Sequence, residues 1–135
     1  MLFRSLDVVS EIVTVPYTEG EYPVEWLDSA VGMLEGSSLP GEGITVLTGH
    51  NHLNTMEAGP FALLGCLDEG DSVMITDSRG SLQTWYVYES AKIPAGSFSR
   101  IAGDVKENAL VLITCEDESP DGGYLNRRVI LAEKR

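Results

Sequence analysis

Short runs of β-branched and aromatic residues, each stopped by Gly, Pro, Asp or Ser, recur from one end of the chain to the other. No apolar stretch keeps a 3.6-residue period for long, so the chain is built to stack short strands rather than long helices. The runs are Glu11–Val15, stopped by Pro16, then Ile44–Thr48, Ser72–Thr76, Leu82–Tyr88, Ala109–Thr114 and Val129–Ala132. The turn Asp77-Ser78-Arg79-Gly80 precedes the alternation of Leu82, Thr84, Tyr86 and Tyr88 with Gln83, Trp85 and Val87, the strongest hairpin signal present. Trp85, Tyr86 and Tyr88 read as wall residues, exposed on one side of the sheet and in the core on the other. Ala109–Thr114 is a continuous run whose middle should be buried on both faces, with Cys115 at its very end.

The remaining segments are shorter on signal. Leu27, Ala30, Val31 and Leu34 are spaced as one face of a short helix, and a second helix is expected over Pro60–Leu67, with Phe61, Leu64 and Leu67 on one side. Residues 17–23, 35–43 and 49–54 read as loops, Ser90 to Asn108 as a wandering connection, and the acidic, Gly-rich stretch Glu116–Gly123 as a solvated loop. About six strands with two brief helices point to a closed or nearly closed barrel, because closure removes exposed strand edges.

A length of 135 residues makes a single domain the expectation. Twenty-one acidic residues against nine basic give a net charge of −12, which repels phosphate backbones and anionic lipid heads. Nucleic acid and membrane surface are therefore not expected as direct partners. No run approaches the roughly 20 apolar residues of a membrane span, and the Met1–Val9 stretch is broken by Arg4, Ser5 and Asp7, so neither anchor nor signal peptide is expected within it. Cys66 and Cys115 stand apart from each other and from any CxxC pair, which rules out a disulfide scaffold, a zinc knuckle and a dithiol redox motif.

Three residues stand where a strand meets a loop: His50, Cys115 and Arg127. Such positions are held by the scaffold yet reachable. A thiol is only slightly ionised at neutral pH, and a catalytic cysteine needs an imidazole or a cation beside it, which His50 and Arg127 could supply. Thr48-Gly49-His50, the following Phe61, Leu64, Gly70 and Asp71, then Leu112-Ile113-Thr114-Cys115 and Arg127-Arg128-Val129-Ile130 together resemble the sortases, cysteine transpeptidases of Gram-positive cell surfaces. The order His, Cys, Arg agrees with that family. Val111 stands where its cysteine motif begins with Thr, and the segment before Leu27 matches only at Val15-Pro16.

The resemblance implies a mainly β, eight-stranded sortase-like barrel over residues 1–135, with residues 1–10 poorly matched and a strand or anchor expected outside this chain. It implies that Cys115 attacks the Thr–Gly bond of an LPXTG-like sorting signal and that the thioacyl enzyme is resolved by an amine of a cell-wall precursor or a pilin. His50 would act as acid and then base, and Arg127 would hold the substrate or oxyanion. Thr114, Asn51 and His52 would contact the substrate. The resemblance favours Arg127 over Arg128, because the family's arginine precedes the last apolar strand by the same interval as Arg127 precedes Val129, and alternation sends the two to opposite faces so that only one can meet Cys115. The implied enzyme is a monomer at the extracellular face of the membrane, without a cofactor. The short 90–108 connection and the lack of an N-terminal lid point away from class B and pilin-polymerising types, towards a small housekeeping-like or class D-like enzyme.

Other readings of the same residues stand beside these. A cysteine peptidase would use water in place of the amine, and an inactive peptide-binding module would keep the fold alone. Cys66 reads as core, and His52 as a loop or groove histidine rather than a metal ligand with His50. Glu116, Asp117 and Glu118 read as a solvated acidic loop rather than a calcium site. The net charge of −12 opposes thiolate formation, so a small thiolate fraction is expected at Cys115 unless Arg127 offsets the field.

Overall fold

Every apolar run of the sequence becomes a strand of one sheet. In the chain's structure, a computed structural model, the described residues are 2, 3, 8, 9, 11–19, 22, 24, 27, 29–51, 58–76, 79–96, 102–118, 120 and 124–134. The strands are β1 (Leu2–Phe3), β2 (Val8–Val9), β3 (Ile12–Val15), β4 (Val31–Leu34), β5 (Thr45–Thr48), β6 (Ser72–Thr76), β7 (Leu82–Pro94), β8 (Leu110–Glu118) and β9 (Tyr124–Lys134). Their order across the sheet is β2-β1-β6-β7-β9-β8-β5-β4-β3. Val31 of β4 and Val73 of β6 lie far apart in that order yet share one buried cluster with Leu47, Trp85, Leu112 and Ile130, so the sheet curls around a single core. The architecture is mainly β and curled. A ladder that would close an eight-stranded barrel, joining β2 to β3, is not found among the described residues.

β8 and β9 are buried on both faces, as the continuous apolar run requires. Leu110, Leu112, Ile130 and Ala132 face the main core, while Val111, Val129 and Leu131 join Ile93 in a second cluster on the opposite face. Val46, Ile113 and Tyr88 pack against that second cluster. The connection after β7 is tied down there, since the Tyr88 hydroxyl donates to the Asp104 carbonyl and accepts from the Lys106 amide, and Lys106 Nζ sits 4.4 Å from its ring centre.

Several sequence expectations are corrected. The helix expected at Leu27–Leu34 is instead strand β4, parallel to β3 and antiparallel to β5, with Gly32 at a position that weakens a helix interior. Pro60–Leu67 forms turns and a 3-10 turn at Leu64–Cys66 rather than an α-helix. Phe61, Leu64 and Leu67 are all buried, and their strict three-residue spacing is the 3-10 period. Cys66, expected in the core, falls on the exposed side of that turn. β7 does not stop at Tyr88 but runs to Pro94 through a bulge between Val87 and Glu89. The extra residue shifts the inward face from Trp85 and Val87 to even-numbered positions, so that Ile93 lands opposite Arg127 on the second face. β8 continues through Glu116 to Glu118 and β9 begins at Tyr124, so Cys115 and Arg127 lie inside strands rather than at their ends. Cross-strand charge pairing lets polar residues hold a ladder that composition alone reads as loop.

Candidate active site

The neighbouring strands β8 and β9 carry Cys115 and Arg127, and the segment that follows β5 carries His50. β8 and β9 pair antiparallel with Cys115 directly opposite Arg127. β5 and β8 pair parallel, ending at Thr48 opposite Ile113, and two residues beyond that rung the same register brings His50 level with Cys115. Alternation puts all three on the face of Val46, Val111 and Val129, away from the main core. With strands about 4.8 Å apart, Cys115 is flanked by its two partners rather than facing either across a cavity.

Side chains extend the ladder beyond its last backbone rung. Thr48 donates to the Ile113 carbonyl at 3.2 Å, Thr114 to the Gly49 carbonyl at 2.8 Å and Asn51 Nδ2 to the Cys115 carbonyl at 2.8 Å. From the other side, the Gly59 amide donates to the Asn51 carbonyl at 2.8 Å and the Phe61 amide to the His50 carbonyl at 3.1 Å. Gly59 is required there, because a Cβ would collide with the His50 carbonyl. The segment that carries His50 is thus gripped on both sides.

His50 Nε2 lies 2.8 Å from the Val24 carbonyl. A carbonyl only accepts, so this nitrogen carries a proton and Nδ1 is the one left for proton transfer in the neutral ring. Cys115 is half-buried. Burial pushes its thiol above the ordinary range, and the Arg127 guanidinium partly offsets that. The direction matches the small thiolate fraction expected from sequence, with burial as the leading cause. Arg127 donates through Nη1 to the Asn126 carbonyl at 3.0 Å, and among the described residues it has no carboxylate partner. Beside it a mostly apolar pocket of ≈ 200 Å³ is lined by Ile93, Gly96, Ile113, Arg127 and Val129.

The opposite face is saturated. Arg128 forks onto Glu116, at 2.8 Å from Nε and 3.3 Å from Nη2, and donates to the Ser90 hydroxyl at 3.1 Å. Lys92 reaches Glu116 at 3.3 Å and Asp117 at 2.9 Å, and Asn126 donates to Asp117 at 2.6 Å. The hydrogen bond from Arg128 chiefly holds Glu116 below the usual carboxylate range, and that from Asn126 does so for Asp117. Glu116 and Asp117, expected in a solvated acidic loop, are committed to cations on a strand. Among the described residues no group of three or more His, Cys, Asp or Glu could hold a metal ion.

Thr114, expected to touch substrate, is 2 % exposed and spends its hydroxyl on Gly49. Asn51 likewise turns its amide to the backbone, and His52 lies outside the described residues. Sequence reasoning missed Ile93 and Gly96, whose place beside Arg127 follows from the bulge in β7.

The model of the sortase domain family matches residues 4–135 of the chain. Among solved structures, sortase C-1 from Actinomyces oris is similar with a TM-score of 0.74 and 25% identity, over 99% of this chain and 71% of that one. Sortase A from Corynebacterium diphtheriae gives 0.75 and 24%, over 99% of this chain and 58% of that one. Sortase C1 from Streptococcus suis gives 0.76 and 22%, over 99% and 70%. No curated protein sequence matches the chain.

Proposed function

The chain belongs to the sortase family, and from that premise we propose that it is a cysteine transpeptidase with Cys115 as nucleophile, His50 as acid and base, and Arg127 as oxyanion or substrate clamp. The observation that carries this reading is Arg127 directly opposite Cys115 on the adjacent strand, with the segment that bears His50 tied to the Cys115 strand through Thr114 and Asn51 and with Arg127 lacking a carboxylate partner among the described residues. In the proposed reaction the Cys115 thiol gives its proton to His50 Nδ1 as Sγ attacks the carbonyl carbon between Thr and Gly of an LPXTG-like signal. Arg127 donates to the oxygen on which negative charge develops, where a fixed guanidinium is worth most. The imidazolium then protonates the departing amine, and the C–N bond breaks to leave a thioacyl enzyme. An incoming amine of a cell-wall precursor or a pilin gives its proton to His50, attacks the thioester carbon and releases Sγ.

Because the thiol is pushed up by burial, the proton transfer to His50 belongs to the attack itself rather than to a standing ion pair. The apolar pocket beside Arg127 suits an aliphatic side chain of the signal. Thr114 and Asn51 act as positioning residues, holding the His50 segment to the Cys115 strand; His52 remains proposed as a substrate contact. The proposed site of action is the Gram-positive cell surface, with the enzyme a monomer. No helix among the described residues is long and apolar enough to cross a membrane.

The test is incubation with LPXTG-type peptides, with and without an added amine, read by mass spectrometry of protein and products. A thioacyl adduct on Cys115 together with an amine-linked product supports the proposal. Cleavage indifferent to the amine assigns a peptidase, and an adduct that persists in Cys115→Ala overturns the assignment of the nucleophile.

A further inference from the structure

Separate parts of the chain hold His50, and they hold different parts of it. Its backbone is fixed by the Phe61 amide, which donates to its carbonyl, and by the bonds that Thr114 and Asn51 make on either side of it. Its ring is fixed from elsewhere. Among the described residues the hydrogen-bond partner of the imidazole is the Val24 carbonyl, 2.8 Å from Nε2 and 26 positions away in sequence. A fixed backbone leaves both side-chain torsions of a histidine free, so ring direction and tautomer rest on where that carbonyl stands.

The Val24 carbonyl is held in turn by one buried side chain. The Leu27 amide donates to it at 3.1 Å, the Ala30 amide donates to the Leu27 carbonyl at 2.9 Å, and the Val31 amide, at the start of β4, donates to the Glu11 carbonyl at 2.8 Å. Leu27, between β3 and β4, is only 3% exposed, and Gly32 of β4 makes its place. A Cβ on Gly32 would come within 3.0 and 3.1 Å of the two Leu27 methyl carbons and would collide with Cγ2 of Val15 on β3. Leu27 thus fills the space that the missing side chain leaves, and so seats the turn on the β3–β4 pair. Of the apolar set read as one face of a helix, Leu27, Ala30, Val31 and Leu34, the first member has this task instead.

We propose that Leu27 is a positioning residue: seated on Gly32, it places the Val24 carbonyl that fixes the ring direction and the tautomer of His50. The carbonyl takes the part that a carboxylate takes where a nucleophile, a base and an orienting group act in series. When His50 accepts a proton at Nδ1, its Nε2–H becomes part of a cation, and the bond to Val24 strengthens with it. The catalytic consequence rests on the transpeptidase reading; the effect on the ring does not.

The experiment records long-range proton–nitrogen NMR correlations of the histidine rings in the full chain, at a pH where imidazole is neutral, with His52→Gln samples to assign the two rings. The same variants are assayed for kcat and KM on an LPXTG-type peptide. The parent should show a single His50 tautomer with its proton on Nε2. Leu27→Ala should show a mixture of both tautomers and a kcat about tenfold lower at unchanged KM, because misplaced reacting groups cost rate rather than binding. Leu27→Met, which keeps the volume, should restore both readouts. Leu27→Val, a milder truncation, takes the place of Leu27→Ala if that variant does not fold. Val73→Ala is the control: it truncates a buried side chain of β6, which pairs with neither β3 nor β4, so it should lower Tm and leave both the tautomer and kcat per folded molecule as in the parent. A folded Leu27→Ala chain that keeps the single Nε2–H tautomer would overturn the proposal, as would a parent with the proton on Nδ1 or an equal tautomer change in Val73→Ala. A redistributed tautomer with kcat unchanged would remove the catalytic consequence. A redistributed tautomer in a chain whose parent turns over no peptide supports the role of Leu27 and counts against the transpeptidase reading.

Discussion

Arg127 and Arg128 are neighbours on β9, and the strand sends them to environments of opposite kind. Arg128 is spent: its fork holds Glu116 and the Ser90 hydroxyl, and Lys92, Asp117 and Asn126 complete a network of two cations and two anions. Arg127, opposite Cys115, donates among the described residues to the Asn126 carbonyl in its own chain segment and borders an apolar pocket. Identical side chains one residue apart therefore do different things. Where a guanidinium is saturated it holds strands in register; where its donors are unspent it can answer a charge that arises during a reaction.

The sharpest way to break this contrast is to remove each member in turn. Cys115→Ala should abolish peptide turnover, and Arg127→Gln should lower kcat by roughly 10²–10³-fold, the cost of losing one oxyanion donor. Arg127→Gln should not shift thermal stability measurably, since among the described residues Arg127 holds no carboxylate. Arg128→Gln should do the opposite. It strands Glu116 with only Lys92, a loss of about 1–2 kcal/mol at this half-exposed place, while turnover per folded molecule stays close to that of the parent. Equal losses of kcat in both arginine variants would erase the distinction.

Much of this was legible before the fold was seen. The order of His50, Cys115 and Arg127 and the preference for Arg127 over Arg128 follow from motif and alternation, and the register of β8 with β9 agrees with them. The strand ends were not legible. Glu116 and Asp117 look like loop residues until their partners Lys92 and Arg128 are known, and those partners stand from 12 positions (Arg128 from Glu116) to 25 positions (Lys92 from Asp117) away in sequence. A bulge at Tyr88 likewise leaves no sequence signature, yet it decides that Ile93 and Gly96 frame the pocket beside Arg127. Thr114 and Asn51, expected to touch substrate, donate to backbone carbonyls, since polar residues next to a candidate nucleophile can serve the backbone as well as a ligand.

Asn51 gives a second, intermediate test. If its amide only fixes the Cys115 carbonyl, Asn51→Ala should lower kcat on the order of tenfold with KM unchanged, because misplacing reacting groups costs rate rather than binding. The rate of Cys115 alkylation should fall little. A rise in KM alone would return Asn51 to the substrate-contact role. Alkylation also reads Arg127 directly. Its pH midpoint should lie above that of a free thiol, because burial dominates, and Arg127→Gln should move it further up while Arg128→Gln leaves it in place.

The smallest effect is the acid limb of the pH dependence of stability, and it belongs to the Arg128 side. Glu116 and Asp117 are held below their ordinary values in the folded chain, so their contribution is complete above the unfolded carboxylate range. It is lost as pH falls through the lowered folded values. Lys92 is raised, chiefly by its hydrogen bond to Asp117, so its contribution is complete below the ordinary lysine range and is lost only at strongly alkaline pH. Thermal melts between neutrality and about pH 3 should therefore show a decline for the parent chain beginning near pH 4.5. In Arg128→Gln the decline should be shallower, because Glu116 then has less to lose. Arg127→Gln should retrace the parent curve, since none of the lowered carboxylates leans on Arg127, and a flattened curve there would mean that the two arginines share the network after all.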